Sequence, residues 1–436
     1  MLPGVRSFRG SGVGYVLMLV QFTMSQFRVL SVIRYTYYAF IFSVPIETLW
    51  IGIESGDFSV SKLIGIAFIA TALLQPQVCF KMPPRPFWYF LAYILIGAGL
   101  AIFQSPQPAM GRLAAQVFTF VLLLVLFWIS YNLFQDKSIV KGAFFTLIAS
   151  CALLTALMWR DPSYTSMAPG RVTAMSFNPN TIAATLAVGL LALLGLAYAR
   201  TDMDARIMTA RVKLLAWLCF GWLAVGLVAT GSRKAMIGLL VGVFLLVVKQ
   251  GNFARKVQVG IIALLAIIAL AWTAYDNQVI WSRWEQAFLG DRSGREAIHP
   301  EAWNMFMEKP FFGWGLVANA RELGARFGWP ALDPHSLYLS ILTETGLFGS
   351  VLFFSGLWIC WRAAWRASHG AEGSLPVALM GCLLVVNLAG GLQYRKLFWI
   401  ILAYSLASQS FVVRRSQRAH PAGAIKESPH PVGYGP

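Results

Sequence analysis

Twelve windows of roughly 17–25 mostly apolar residues follow one another along this chain, and they decide its solvent. They lie near 33–52, 60–78, 87–103, 112–134, 139–158, 181–199, 212–229, 232–249, 255–275, 338–365, 375–391 and 394–413. Hydrophobic residues make up 58% of the chain and charged residues 12%, against about 45–50% and about 25% in soluble domains. No soluble core hides that much apolar surface. The sequence therefore predicts an all-α polytopic membrane protein with about twelve transmembrane helices.

The windows also set the organisation. Residues 1–275 read as a membrane bundle of nine helices, preceded by a short apolar segment at 13–26 that lies at the interface. That segment lacks a small-residue cleavage site, so insertion is expected to be signalled by the first helices themselves. Residues 276–337 are too polar to span and form a large, partly helical loop. Residues 338–413 add three more helices, and 414–436, rich in Pro, Gly and His, read as a disordered tail. No internal repeat is visible.

The net charge of +17 could signal nucleic acid, but the basic residues fall between apolar runs rather than on one patch, which leaves no nucleic-acid partner. They report topology instead. With the N-terminus cytoplasmic and twelve alternating helices, twenty-one of the 35 Lys and Arg fall in cytoplasmic segments and eight in short outer loops. The positive-inside rule then turns the 276–337 loop and the 159–180 segment outward.

That orientation singles out Arg171, Arg233, Arg295 and Arg395, basic residues close to helix ends on the side the rule depletes. Arg233 follows Thr230-Gly231-Ser232 in a very short turn between two helices. Snorkelling to lipid headgroups accounts for any one such arginine. Several converging on one face point to an anionic ligand. The long loop carries Trp281, Trp284, Trp303, Trp314 and Trp329. Pro300 is placed to open a helix there, with Trp303, Phe306 and Met307 on one face as in a surface helix capping the bundle.

His335, in Asp333-Pro334-His335-Ser336-Leu337-Tyr338-Leu339, is the histidine in a polar, outward, helix-initiating context. A neutral imidazole there can accept a proton from a hydroxyl, or simply bond at a helix N-terminus. His299, directly before Pro300, reads as a turn residue, and His369, His420 and His430 fall on the cytoplasmic side or in the tail. Asp202-Met203-Asp204 has a DxD form but sits in a short cytoplasmic connection with no nucleotide-binding context. The five cysteines include no CxxC, and no His, Cys and carboxylate cluster has metal-ligand spacing. The chain is expected to work without a metal or a cofactor.

Three segments together resemble the O-antigen ligase and polymerase superfamily of bacterial envelope glycan enzymes. They are Gly170-Arg171 through Asn178-Pro179-Asn180, then Thr230-Gly231-Ser232-Arg233, and then the outer loop. In that loop Gly294-Arg295, Trp303, Lys309-Pro310, Gly313-Trp314-Gly315, His335 to Leu339 and Glu344-Thr345-Gly346-Leu347-Phe348-Gly349 follow in the family's order. The resemblance covers about half the chain. It implies a C-type glycosyltransferase fold at the inner membrane, moving a glycan from undecaprenyl diphosphate to an acceptor hydroxyl on the periplasmic side. By position Arg233 and Arg295 would grip the diphosphate, His335 would be general base, and Arg171 near Asn180 would support the donor. Ser336 stands where many members have Asn, and Lys234 where a small residue is common. The acceptor would be the lipopolysaccharide core for a ligase, or a second lipid-linked glycan for an O-antigen or exopolysaccharide polymerase. A lipid-linked glycan flippase is the competing class. It would place acids or broken helices at mid-membrane, and carboxylates are nearly absent from the helix centres.

Overall fold

Lipid offers backbone N–H and C=O groups no partner, so a spanning segment must close its own hydrogen bonds. In the computed structural model the apolar windows accordingly become helices. The structure describes residues 31–47, 59–104, 110–160, 163–164, 171–174, 178–198, 210–248, 257, 260–261, 281–282, 285, 294–368 and 373–419. Helix α1 covers residues 31–43. It is followed by α2 (Val60–Leu73), α3 (Pro76–Cys79), α4 (Arg85–Gln104), α5 (Met110–Leu133) and α6 (Lys137–Arg160). A two-stranded antiparallel ribbon, β1 (Ser163–Tyr164) with β2 (Val172–Thr173), leads into α7 (Pro179–Tyr198), α8 (Ala210–Ala229) and α9 (Arg233–Val248). Then come α10 (Arg295–Glu308), α11 (Ala318–Arg326), α12 (Leu337–Ala367), α13 (Leu375–Val386) and α14 (Lys396–Ala419).

Five of the described helices, α4, α5, α6, α7 and α12, are long and apolar enough to cross a membrane, and α2, α8, α13 and α14 contain shorter apolar helices. The chain is a multi-pass membrane protein. The 255–275 window, the 13–26 segment, Asp202-Met203-Asp204 and the tail beyond Ala419 lie wholly or mostly outside the described residues. Two neighbourhoods carry most of the packing. Helix α7 sits among α6, α8, α9 and α13, while α4, α5, α12 and α14 pack together. In the second group Phe90 meets Phe127, Phe353 and Trp399 edge-on, at ring distances of 5.8, 5.3 and 5.0 Å, so one ring touches all three partner helices in the geometry aromatic quadrupoles favour.

Several windows are interrupted where the chain chemistry demands it. The 60–78 window is two helices, because Pro76 cannot continue α2 and Gln75 before it is forced to φ −136°, ψ 69°, outside the helical region. The 375–391 window stops at Val386 and passes through two 3₁₀ turns, Asn387–Ala389 and Leu392–Tyr394, on either side of Gly390-Gly391. Helix α14 runs on to Ala419, past the expected start of the tail at Arg414.

The largest correction is in α12, expected as one uninterrupted span. It breaks at Gly346, with φ 57° and ψ −157°, a backbone region that is nearly glycine-only. An unbroken helix would bond Leu347 N to Thr343 O and Phe348 N to Glu344 O. Instead the loop after α10 takes both pairs. Trp314 N donates to Thr343 O at 2.8 Å and Gly315 N to Glu344 O at 2.7 Å, while Leu347 N and Phe348 N donate to Pro310 O and Phe311 O at 2.8 and 3.2 Å. On the loop's other side Leu316 N donates to Gly97 O of α4 at 3.1 Å. The glycines make the fit possible. A Cβ on Gly313 would come within 2.6 Å of Gly346 N, and one on Gly315 within 2.5 Å of Ala101 N.

Directly before the break, Glu344 is buried at 1% exposure. It accepts from the hydroxyls of Tyr93 and Tyr394, the latter at 2.7 Å, and Gln116 in turn donates to Tyr394 at 2.8 Å. A carboxyl group inside the bundle is thus bonded by α4 and the 392–394 turn, and α5 supports the second of these through Gln116.

The loop between the last apolar windows is partly helical, as expected, but its details differ. Helix α10 starts at Arg295, and Pro300 and His299 lie inside it rather than at its start or in a turn. Its packed face is Ala302, Met305 and Phe306, whereas Trp303 and Met307 are exposed at 48% and 58%. Arg326 of α11 clasps the two surface helices together through Glu301, Glu308 and Glu322 at 2.7, 2.6 and 3.1 Å.

Gly346→Ala should lower the melting temperature of the purified protein in detergent, since the added Cβ meets the Phe311 backbone and the residue is held at positive φ. Strain of this kind costs about 1–3 kcal/mol. Gly99→Ala, where nothing lies within 4 Å of the added carbon, is the control and should leave the melting temperature unchanged or higher.

Candidate active site

The site begins with a glycine. Helix α8 ends at Ala229, and Gly231 at φ 59° turns the chain so that α9 starts only two residues later; the left-handed residue is the usual way to stop a helix abruptly. Gly231 N donates back to Val228 O at 2.8 Å, and Thr230 Oγ1 to Leu227 O at 2.6 Å. The β1–β2 ribbon delivers Arg171 onto this turn. The buried guanidinium donates through Nε to Thr230 O at 2.6 Å and through Nη2 to Asn180 Oδ1 at 3.0 Å. Ser232 Oγ donates to the same Asn180 oxygen at 2.9 Å. Asn180 itself is set by the first turn of α7, its N–H donating to Asn178 Oδ1 at 2.9 Å. The expected pairing of Arg171 with Asn180 is therefore a direct hydrogen bond, and its effect is to fix the Thr230–Ser232 turn.

The turn presents Arg233 and Lys234 as the first two residues of α9, which has no acidic residue in its first turn. Cations at a helix N-terminus oppose the macrodipole by about 0.3–1 kcal/mol each. Arg295, the first residue of α10 after Gly294 at φ 81°, comes close enough to Arg233 for the two charges to act on one another. Burial first, and then Arg233, depress the pKa of the Arg295 guanidinium, with Glu296 opposing. Its Nε is buried without a hydrogen-bond partner among the described residues. Lys234 lies within electrostatic reach of Arg295, Arg171 and Asp333, and its Nζ donates to Ala389 O at 2.8 Å.

His335 stands on the facing segment at φ 54°, a left-handed conformation that histidine tolerates better than most residues. Asp333 supports it as an Asx turn, Oδ1 accepting from His335 N. The carboxylate is 3.6 Å from Nδ1, too far for a neutral hydrogen bond. Helix α12 does not begin at the histidine. Ser336 is its N-cap, buried, with no side-chain bond to the first turn, while Leu337 N donates to Gly390 O at 2.9 Å. Burial pulls the His335 pKa below its ordinary value, Asp333 opposes, and Arg295 and Lys234 add to the depression. The depression favours the neutral imidazole, the form able to take a proton.

Arg171, Asn180, Arg233, Arg295 and His335 come together in one neighbourhood, and Ser336 lies at its edge. Arg395 does not join them. It donates to Glu47 at 2.6 Å, and Lys396 holds the other oxygen at 2.7 Å, so its partner is internal. Sequence reasoning passed over Lys234, Asp333 and Ser232 as functional residues. The Asp333-Pro334-His335 spacing carried the signal of an Asx turn, and Lys234 was visible as a second cation beside Arg233. What the cluster can do chemically is bind a polyanion with three or four cations and hold a neutral imidazole next to it.

An α-helical, multi-pass membrane protein with a cationic site of this composition is the class these observations define. Residues 214–354 match a family model described as O-antigen ligase. The matched third of the chain contains Arg233, Lys234, Arg295, His335 and the α12 break, and leaves Arg171 and Asn180 outside. The match supports kinship with the O-antigen ligase and polymerase superfamily and a role in glycan ligation or polymerisation, without separating the two. No curated protein matches the chain.

The histidine environment is testable without substrate. With ¹³C-labelled histidine, the NMR titration midpoint of His335 should lie below the ordinary value of about 6.5. Asp333→Asn removes a charge that favours the imidazolium and should lower the midpoint further. Arg295→Gln removes one that disfavours it and should raise the midpoint.

Proposed function

We propose that this protein is a metal-independent membrane glycosyltransferase. It moves a glycan from an undecaprenyl-diphosphate-linked donor to an acceptor hydroxyl of lipopolysaccharide core at the periplasmic face of the inner membrane. The observation that carries this reading is the convergence of Arg233 and Arg295 with a neutral His335 inside the segment that matches O-antigen ligases. His335 takes the acceptor hydroxyl's proton as the oxygen attacks the anomeric carbon. The bond from that carbon to the phosphate oxygen breaks, and the electron pair leaves with undecaprenyl diphosphate. Negative charge grows on the leaving diphosphate, and guanidiniums aimed at it stabilise the transition state more than the ground state. Arg171, bonded to Thr230 O and Asn180, holds the turn that aims Arg233.

The expected twelve-helix topology with a cytoplasmic N-terminus, read from the charge distribution, would put this site outside, among membrane lipids, at the level of the donor's headgroup. The flippase reading gains a broken helix and a buried acid from the structure, features transporters use. Here both are fully occupied. The break at Gly346 is filled by residues 310–316, and Glu344 is bonded by Tyr93 and Tyr394, which leaves neither group to meet a cargo.

Purified protein given a lipid-diphosphate-linked glycan and core acceptor should yield a single addition product; a ladder of lengths would identify a polymerase. Arg233→Lys and Arg295→Lys keep charge but lose the planar fork, and should cut turnover severely at normal expression. Near-parental turnover in both would discard the diphosphate grip. His335→Gln should lower single-turnover transfer by about 10²–10⁴-fold, the usual share of a general base, with donor binding intact. The parental acid limb should fall below the ordinary histidine range, because activity is lost as pH drops through the depressed pKa. For topology, single cysteines at Ser293 and Ala331 in a Cys-free background should react with an impermeant reagent from the periplasm, and those at Ser138 and Ser368 should not.

A further inference from the structure

The geometry points to Lys234 as a third phosphate-binding cation of this site, taking the oxygen of the anionic donor that Arg233 and Arg295 leave uncovered. This inference rests on the proposed diphosphate site and adds a ligand to it. Lys234 is half-buried at the second position of α9. Its ammonium spends one of three donors on Ala389 O, at 2.8 Å, and forms no salt bridge in the described structure. Around it stand two further cations, Arg295 and Arg171, and the carboxylate of Asp333. Asp333 is itself engaged with the backbone of His335.

Arg171 is spent on holding the turn, so its guanidinium is directed at Thr230 O and Asn180 rather than outward. Lys234 is therefore the better placed of the two to meet the anion. Three cations brought together out of water repel one another and lose hydration unless an anion arrives. A lysine serves this role as a compact point charge with rotatable donors, which suits a second phosphate oxygen beside arginines that bind in a planar fork. Ala389 O does not need the charge. Gly390 beside it leaves the room in which Nζ sits, since a Cβ there would collide with it, and the bond to Ala389 O uses only one of the three ammonium hydrogens.

The test uses the full-length purified protein and inorganic pyrophosphate, with binding measured by calorimetry. Lys234→Gln keeps a donor for Ala389 O and removes the charge, and should weaken pyrophosphate binding roughly 10–100-fold, the worth of one charged hydrogen bond, and flatten its salt dependence. Lys234→Arg should restore most of the affinity. Parental affinity in Lys234→Gln would overturn the inference and leave Lys234 a strut to Ala389. A parental protein that does not bind pyrophosphate at all would instead sink the diphosphate site itself. A second measurement needs no variant. Amine acylation of the parental protein, read by mass spectrometry, should show Lys234 protected by pyrophosphate while Lys62 is not, and absence of that protection would equally overturn the assignment.

Discussion

A helix interrupted within a membrane protein exposes carbonyls and amides that lipid cannot satisfy, at several kcal/mol for each unmet group. In this protein the interruption of α12 at Gly346 is met group for group by the backbone of residues 310–316. Everything near the site follows from that exchange. The nine residues before the break leave the direction of the main span and lead back to Ser336 and His335. The loop that fills the break carries α10, and with it Arg295, against the bundle. Because Leu316 is bonded to Gly97 of α4 as well, the same strip of chain joins three elements whose sequence separation is large. The histidine and one of its arginines are thus placed by main-chain hydrogen bonds, which are indifferent to side-chain identity, and by glycines, which are not.

A second set of bonds fixes the other half. The segment from Asn387 to Arg395 accepts from Lys234 through Ala389 O and from Leu337 through Gly390 O. It also reaches Glu344 through Tyr394 and Glu47 through Arg395. It touches the start of α9, the start of α12 and the end of α1 at once. Charge is handled differently on its two flanks. At Glu47 both cations pair directly with the carboxylate, at 2.6 and 2.7 Å; at Lys234 and Arg295 no salt bridge forms among the described residues, although Asp333 and Glu296 lie within electrostatic reach. An excess of like charge at partly buried positions is unfavourable by itself, and an anion of opposite sign is one way to relieve it.

Much of the fold was legible in the residues. The windows at 87–103, 112–134, 139–158 and 181–199 anticipated α4, α5, α6 and α7 within two residues at each end, since an uninterrupted apolar run without Pro has one stable answer in lipid. The interruptions were harder to see. Pro76 announces its break locally, but Gly346 looks like any glycine in a membrane helix, and its role depends on residues 310–316. The candidate residues Arg171, Arg233, Arg295 and His335 could be picked out because the positive-inside rule depletes basic groups from the segments expected to face outward. Arg395 met the same criterion and was taken by Glu47, nearly 350 residues earlier in the chain, a pairing no local pattern could reveal. Lys234 was discounted as a departure from a pattern. On α10, helical spacing alone could not say which of two apolar faces packs, and the inner one proved to be Ala302, Met305 and Phe306.

The position of the Asn387–Arg395 segment has a consequence for how the protein comes into being. It lies outside the stretch that matches O-antigen ligases and is made only after His335 and the cations beside it. Until it docks, the carbonyls that receive Lys234 and Leu337 are missing, and the starts of α9 and α12 lack one of the supports that hold them beside one another. The matched stretch therefore leaves outside itself two carbonyls that hold Lys234 and the start of α12, and a nascent chain that has just made His335 does not yet hold a finished site. Completion of that neighbourhood waits for the Asn387–Arg395 segment to be made and docked.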